Sequence, residues 1–299
     1  MSTRSIGTFE YKKPTSLHET FRFLKKKDGS VRILAGGTDL VLQIKQGLIS
    51  PSLLLDVKDI PELNELKWNK NTGLRIGAAV PFSRLLESTI ISKRFNILTQ
   101  ACSIIGSTQI RNRGTIGGNI CNAAPSADSA PALLCLEAKA VIGTGAGTRQ
   151  VALNDFFTAP GKTCIRNNEL LIAIEVPNPP ARSAGCYMRH TTREEMDIAV
   201  TGVGSFIILQ SRSKVPKEVR IALGAVAPTP IRVQSAEAIL AGKPITETNI
   251  EKAAEKAAKE AKPISDVRAS TEYRRELVKV LTKRTLRKAC ETLGIEINH

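Results

Sequence analysis

The chain is poor in the residues that build metal centres and nucleic-acid stacking platforms. Cysteine occurs six times in 299 residues, at 102, 121, 135, 164, 186 and 290, and no two stand at the short spacing that a zinc site or an iron–sulfur cluster uses. Histidine occurs three times, at His18, His190 and His299, too few for a histidine-rich centre. No metal ligand is therefore expected in this chain. Aromatic residues make up 4% of it, so surfaces on which bases could stack are scarce. No apolar run reaches the roughly 18 residues of a membrane span, and the opening MSTRSIGTFEYKKP has no apolar stretch of the signal-peptide kind. A cytoplasmic protein with reduced thiols and no membrane span is the expectation.

What is present suits a folded chain of two or three subdomains: 42% hydrophobic and 24% charged residues. The formal charge of +15 raises the question of an acidic partner. Basic residues occur at Lys12, Lys13 and Lys25 to Lys27, then recur at Arg274, Arg275, Lys279, Lys283, Arg284, Arg287 and Lys288. A basic nucleic-acid-binding module without redox activity is one reading of that excess, and a solvated or subunit-docking face is the other. No nucleic-acid motif supports the first.

Along the chain, Ser16 to Lys26 places Leu17, Phe21 and Leu24 at helical spacing, and Val31 to Ala35 follows as a strand closed by a Gly-Gly turn. Thr38 to Gln46 reads as helix, Leu53 to Val57 as a strand, Gly73 to Gly77 as the beginning of another segment, and Pro81 to Leu86 and Ile97 to Ile105 as helices. Residues 106 to 131, GSTQIRNRGTIGGNICNAAPSADSAP, are too rich in Gly, Asn, Ser and Pro for a regular helix and read as a long, packed binding loop. Strands at 133 to 142 and 149 to 153 are expected around the turn GTGAG. Leu170 to Val176 is a further strand, ended by the boundary PNPPARSAG. Beyond it, strands over Gly202 to Leu209 and Val219 to Val226 precede helices over Ser235 to Leu240, Ile250 to Ala261 and Tyr273 to Leu293. The fold class is α+β.

Gly143, Gly145 and Gly147 lack the third glycine of a dinucleotide fingerprint and read as a hairpin turn, while Gly202 and Gly204 head a strand and read as sites of close packing. Two other stretches point to chemistry. In Arg32-Ile-Leu-Ala-Gly-Gly-Thr-Asp-Leu40, Gly36 and Gly37 let main-chain N–H groups approach an anionic diphosphate, although Thr38 and Asp39 read equally as an ordinary helix cap and first-turn acid. Gly106 to Asn119 packs four glycines into 14 residues; Thr115 and Asn119 can add side-chain hydrogen bonds, and Asp128 offers an acceptor suited to a ribityl or ribose hydroxyl. Arg193, Glu194, Glu195 and Asp197 read either as groups near such a ligand or as an ion-paired surface turn.

AGGTDL at 35 to 40, the stretch 106 to 131, YMRHTTREEMDIA at 187 to 199 and LGAVAPTPIR at 223 to 232 resemble, in order and spacing, the FAD-binding medium subunit of molybdenum hydroxylases, the family of xanthine and carbon monoxide dehydrogenases. The resemblance implies a two-part FAD-binding domain of the vanillyl-alcohol-oxidase type, divided 1–58 and 59–178, followed by a C-terminal antiparallel sheet with packed helices at 185–293. It implies cofactor contacts at Ile33, Leu34, Ala35, Gly36, Gly37, Thr38, Asp39 and Leu40, and at Ile105, Thr115, Ile116, Gly117, Gly118, Asn119, Asp128, Leu171 and Arg189. The family often has Lys where this chain has Arg189, which keeps the cation and changes its geometry.

The resemblance also implies a large subunit with the molybdenum cofactor, a small subunit with two [2Fe-2S] clusters, and transfer of electrons through FAD to NAD or another acceptor. No residue of this chain is implied as an acid or base. REEMDI and ICNAAPSADSAP resemble most the xanthine (purine) dehydrogenase members, with aldehyde, nicotinate and carbon monoxide dehydrogenases open.

Overall fold

The computed structural model describes residues 7–25 and 30–297; Lys26, Lys27 and His299, named above, lie outside them. Among the described residues three larger sheets follow one another along the chain, besides a two-stranded one of Phe157–Ala159 and Lys162–Thr163. The first is parallel, with Leu53–Asp56 between Glu10–Lys12 and Val31–Leu34. Helix Leu17–Lys25 buries Phe21 and Leu24, and Phe21 extends to the second sheet, where a Cβ on Gly143 would come within 3.2 Å of its ring. The second sheet is antiparallel, in the order Leu66–Asn69, Gly73–Gly77, Leu170–Val176, Lys139–Thr144, Gly147–Ala152. Its central strand, LLIAIEV, is buried on both faces, which is why it reads as an unbroken apolar run.

The third sheet orders Ser183–His190, Thr201–Leu209, Pro216–Gly224 and Ile231–Arg232, all antiparallel. Both of its faces are covered. Val203, Ile207, Val219 and Ile221 enter one core with the helices Gln234–Leu240, Glu247–Glu260 and Thr271–Thr292. Tyr187, Phe206, Ile208 and Ala222 join the core of the first two sheets instead. Helix Ser129–Cys135 lies on that side: Arg220 Nη1 donates to the Cys135 carbonyl at 3.0 Å, and a Cβ on Gly224 would come within 2.9 Å of Pro131. A Cβ on Gly204 would likewise meet Cys135 Sγ at 3.2 Å, so the expected close packing at that glycine is present.

The structure corrects three expectations. Residues 106–131 are not a helix-free loop but carry short helices at Thr108–Arg111 and Ile116–Asn122 and the start of Ser129–Cys135. The first two start at Ser107 and Thr115, whose hydroxyls accept from Ile110 N at 3.3 Å and Gly118 N at 3.0 Å. The strand expected from 133 begins only at Lys139, because all seven residues of Ser129–Cys135 are buried in a helix with no polar face to give it a period. The strand Ser183–His190 was not anticipated. Around GTGAG the hairpin forms as read, with Thr144 opposite Gly147.

Candidate functional site

After strand Val31–Leu34 the chain turns through Gly36 and Gly37, and Gly37 takes the left-handed φ of +75° that its lack of a side chain permits. A Cβ on Gly36 would lie 2.2 Å from the carbonyl oxygen of Arg113 and 2.8 Å from Cα of Gly114. The two glycine-rich stretches, 78 residues apart from Gly36 to Gly114, thus meet backbone to backbone. Thr38 Oγ1 would stand 3.6 Å from a Cβ on Gly114. Among the described residues, the N–H groups of Gly36, Gly37, Thr38 and Asp39 donate to no protein acceptor. Asp39 precedes helix Leu40–Lys45 without accepting a cap hydrogen bond, and that helix buries none of its residues.

The second stretch is clamped to the end of strand Gly73–Gly77. Phe82 N donates to Gly114 O at 3.0 Å, Ile116 N donates to Val80 O at 3.2 Å, and a Cβ on Gly117 would strike Ala78 O at 2.4 Å. Gly118 faces only the Thr115 hydroxyl, 2.9 Å from its Cβ position. The N–H groups of Thr115 and Gly117 have no acceptor among the described residues. Asn119 Oδ1 accepts from Ser129 Oγ at 2.6 Å, so its carbonyl is already engaged. Leu171 pairs with Ile142 next to Ile172, whose carbonyl accepts from Ala78 N at 2.9 Å, one link from Gly117. Ile105 follows helix Asn96–Ser103, and its carbonyl accepts from Arg111 Nη1 at 3.0 Å.

Asp128 and Arg189 come together in a buried cluster with a third member. Arg189 Nη1 donates to Asp128 Oδ2 at 2.6 Å and the Tyr187 hydroxyl donates to Oδ1 at 2.7 Å. Burial pushes the Asp128 carboxyl above its ordinary range against the opposing pull of Arg189 and Tyr187. The Tyr187 phenol is raised well above its usual value by burial and by the neighbouring carboxylate. Sequence reading missed Tyr187. The available signal was its place two residues before Arg189, which puts both on one face of a strand. Gly202, in the next strand, leaves it room: a Cβ there would sit 2.4 Å from the phenol oxygen.

The stretch 191–199 is a surface turn built on Asp197, which accepts from Thr192 Oγ1 at 2.5 Å and Arg193 N at 2.9 Å and stands 3.7 Å from the Arg193 guanidinium. Those hydrogen bonds hold the Asp197 carboxyl far below the usual carboxylate range. Met196, in this turn, takes a left-handed φ of 52°. Among the described residues no group of three or more His, Cys, Asp or Glu could hold a metal ion, and no helix is long and apolar enough to cross a membrane.

Residues 7–179 match the family model of the FAD-binding domain in molybdopterin dehydrogenase, and residues 187–289 that of the carbon monoxide dehydrogenase flavoprotein C-terminal domain. The xanthine dehydrogenase FAD-binding subunit of Escherichia coli O157:H7 is 35% identical over 264 residues, 88% of this chain and 90% of that one. The glyceraldehyde dehydrogenase medium chain of Sulfolobus acidocaldarius is 33% identical over 279 residues, 93% and 97% of the two chains. A chain of carbon monoxide dehydrogenase from Hydrogenophaga pseudoflava superposes with a TM-score of 0.92 at 31% identity, over 96% of this chain and 99% of that one. With both halves matched and this likeness running from end to end, the chain belongs to the FAD-binding flavoprotein family of molybdopterin dehydrogenases, which are oxidoreductases.

Proposed function

We propose that this chain is the electron-relay subunit of a heteromeric xanthine (purine) dehydrogenase. It takes electrons from [2Fe-2S] clusters in a small partner subunit, which receives them from a molybdenum-cofactor large subunit, and passes them to NAD or another acceptor. The observation that carries the reading is the meeting of two glycine-rich stretches beside main-chain N–H groups without acceptors, at Gly36 to Asp39 and at Thr115 and Gly117. Unpaired amides in a close-packed turn suit a diphosphate, and the absence of Cβ atoms lets main chain come near it. The residues present therefore fit FAD.

Bound FAD supplies a ring able to hold one or two electrons, so it joins one-electron donors to a two-electron acceptor. The chain's own residues bind and orient it. Gly36, Gly37, Thr38 and Asp39, whose N–H groups lack acceptors among the described residues, would hold the diphosphate by main-chain hydrogen bonds. The Thr115 hydroxyl holds Gly118 N and so fixes the course of Ile116 to Asn119. Ile33, Leu34, Ala35, Leu40, Ile105 and Leu171 supply apolar contacts that exclude water. Asp128, held by Tyr187 and Arg189, is an acceptor for a sugar hydroxyl. The division 1–58, 59–178 and 185–293, and a cytoplasmic setting, belong to the same proposal.

Support for purine rests on the 35% identity to a xanthine dehydrogenase subunit and on REEMDI and ICNAAPSADSAP in this sequence. The native complex, purified through a tag on this chain, should contain flavin, molybdenum and iron and oxidise xanthine. Turnover of an aldehyde, nicotinate or carbon monoxide in place of xanthine would reassign the substrate. A colourless chain that binds nucleic acid in a salt-sensitive way would overturn the relay itself.

A further inference from the structure

Arg274 stands in the basic C-terminal run, yet only 3% of it is exposed. Its Nη1 donates to the carbonyl of Val200 at 2.5 Å and that of Ala225 at 3.2 Å, and its Nη2 donates to Asp266 Oδ1 at 2.8 Å. Its Nε is buried without an acceptor. Desolvating an ion is expensive, and an apolar side chain of similar volume often serves stability as well or better. What a guanidinium offers beyond that is a rigid planar fork that fixes several acceptors relative to one another.

The acceptors it fixes lead to one place by two routes. Val200 N donates to His190 O at 2.8 Å and opens the ladder in which Thr201 faces His190 and Gly202 faces Arg189. Gly202 in turn lies under the Tyr187 hydroxyl. Ala225 takes a left-handed φ of 64°, and its N–H donates to Pro125 O at 2.7 Å, just ahead of Asp128 in the chain. One route ends at Arg189 and Tyr187, the other at Asp128.

We propose that Arg274 is a positioning residue for the cofactor cradle, holding Val200 and Ala225 at the separation that brings Arg189 and Tyr187 onto Asp128. This rests on the reading that FAD occupies the cradle. Among the described residues Arg274 makes no hydrogen bond to Asp128, Tyr187 or Arg189, and it acts through the main chain of Val200 and Ala225.

The test uses the full chain carrying Arg274→Met, Arg274→Lys, or the exposed neighbour Arg275→Met as control. FAD affinity is read by fluorescence titration, the setting of the bound ring by visible circular dichroism, and folding by thermal melting. Arg274→Met should fold, bind FAD about tenfold more weakly, equivalent to about 1.4 kcal/mol, and alter the dichroism of the bound flavin. Arg274→Lys should fall between it and wild type, because one ammonium keeps the charge without the fork. Arg275→Met should match wild type. A folded Arg274→Met with wild-type affinity and dichroism would overturn the brace alone. Failure of both Arg274 variants to fold would also overturn it, by making the residue one that the fold requires. A wild-type chain that binds no FAD would remove the functional reading together with it.

Discussion

Arg189 and Asp128 share a 2.6 Å hydrogen bond with both side chains only 7% exposed, so a cation from the third sheet and an anion at the head of helix Ser129–Cys135 neutralise each other at the seam between the two halves of the chain. Each buried charge depends on the other. Arg189→Met should lower the unfolding free energy by about 3–5 kcal/mol, since it leaves the carboxylate uncompensated. Asp128→Asn should cost a similar amount: its amide still accepts from Tyr187, but the buried Arg189 guanidinium, which cannot shed its proton, loses its counter-charge. Urea unfolding checks both, and a loss at Arg189 no larger than that at the exposed Arg193→Met would refute the pairing.

Glycine substitutions in the two loops should differ sharply in effect. Gly36→Ala places a methyl group 2.2 Å from the Arg113 carbonyl, so it acts by prising the loops apart rather than by occupying ligand space. FAD binding should weaken about tenfold or more, a change of at least about 1.4 kcal/mol. Gly118→Ala would press on the Thr115 hydroxyl that holds Gly118 N, a single side-chain clash at 2.9 Å against three main-chain ones at Gly36, and should lose less flavin than Gly36→Ala. Flavin per chain after gel filtration is the measurement, and equal retention by the two would contradict the geometry.

Gly202 and Tyr187 should be energetically coupled. Gly202→Ala forces its methyl group to within 2.4 Å of the phenol oxygen, an overpacking expected to cost about 1–3 kcal/mol. In a Tyr187→Phe background the nearest atom is gone, so the same change should cost less, with a coupling energy of about 0.5–3 kcal/mol. Strict additivity in the double-mutant cycle would place the hydroxyl elsewhere.

Glu169 should give the fold an acid-side dependence. Its carboxylate accepts from Arg149 at 2.8 and 2.9 Å and from Arg166 N at 2.8 Å, and the Arg149 hydrogen bonds hold its pKa below the usual 4.5. Between the folded and unfolded values the unfolded chain binds more protons. The contribution is therefore complete above about pH 4.5 and lost as pH falls through the folded value. Glu169→Gln should melt lower than wild type near neutrality, with the gap narrowing below pH 4.5. A gap independent of pH would show that the carboxylate charge plays no part.

Local pattern carried much of this architecture. Strand Leu170–Val176 begins and ends at the residues that the apolar run indicates, and the Gly-Gly turn after Val31–Leu34 stands where the glycines put it. Helix Ser129–Cys135 was hidden because burial on every side erases periodicity. The short helices at Ser107 and Thr115 were legible in principle from their capping hydroxyls, and the glycine content outweighed that signal. Asp128 was legible as an acceptor in its loop and Arg189 through the family resemblance; their partnership with Tyr187 and the inward turn of Arg274 depend on contacts between residues far apart in sequence, which no local pattern records.

All nine residues of Thr201–Leu209 are buried, with helices from the first half of the chain against one side and helices from the second half against the other. A cut in the proline-rich segment at 177–182 would consequently strip an oily face bare on each fragment. The seam visible in the order of residues is not a seam in the solid, and amide protons along this strand should exchange with solvent only when the whole molecule opens.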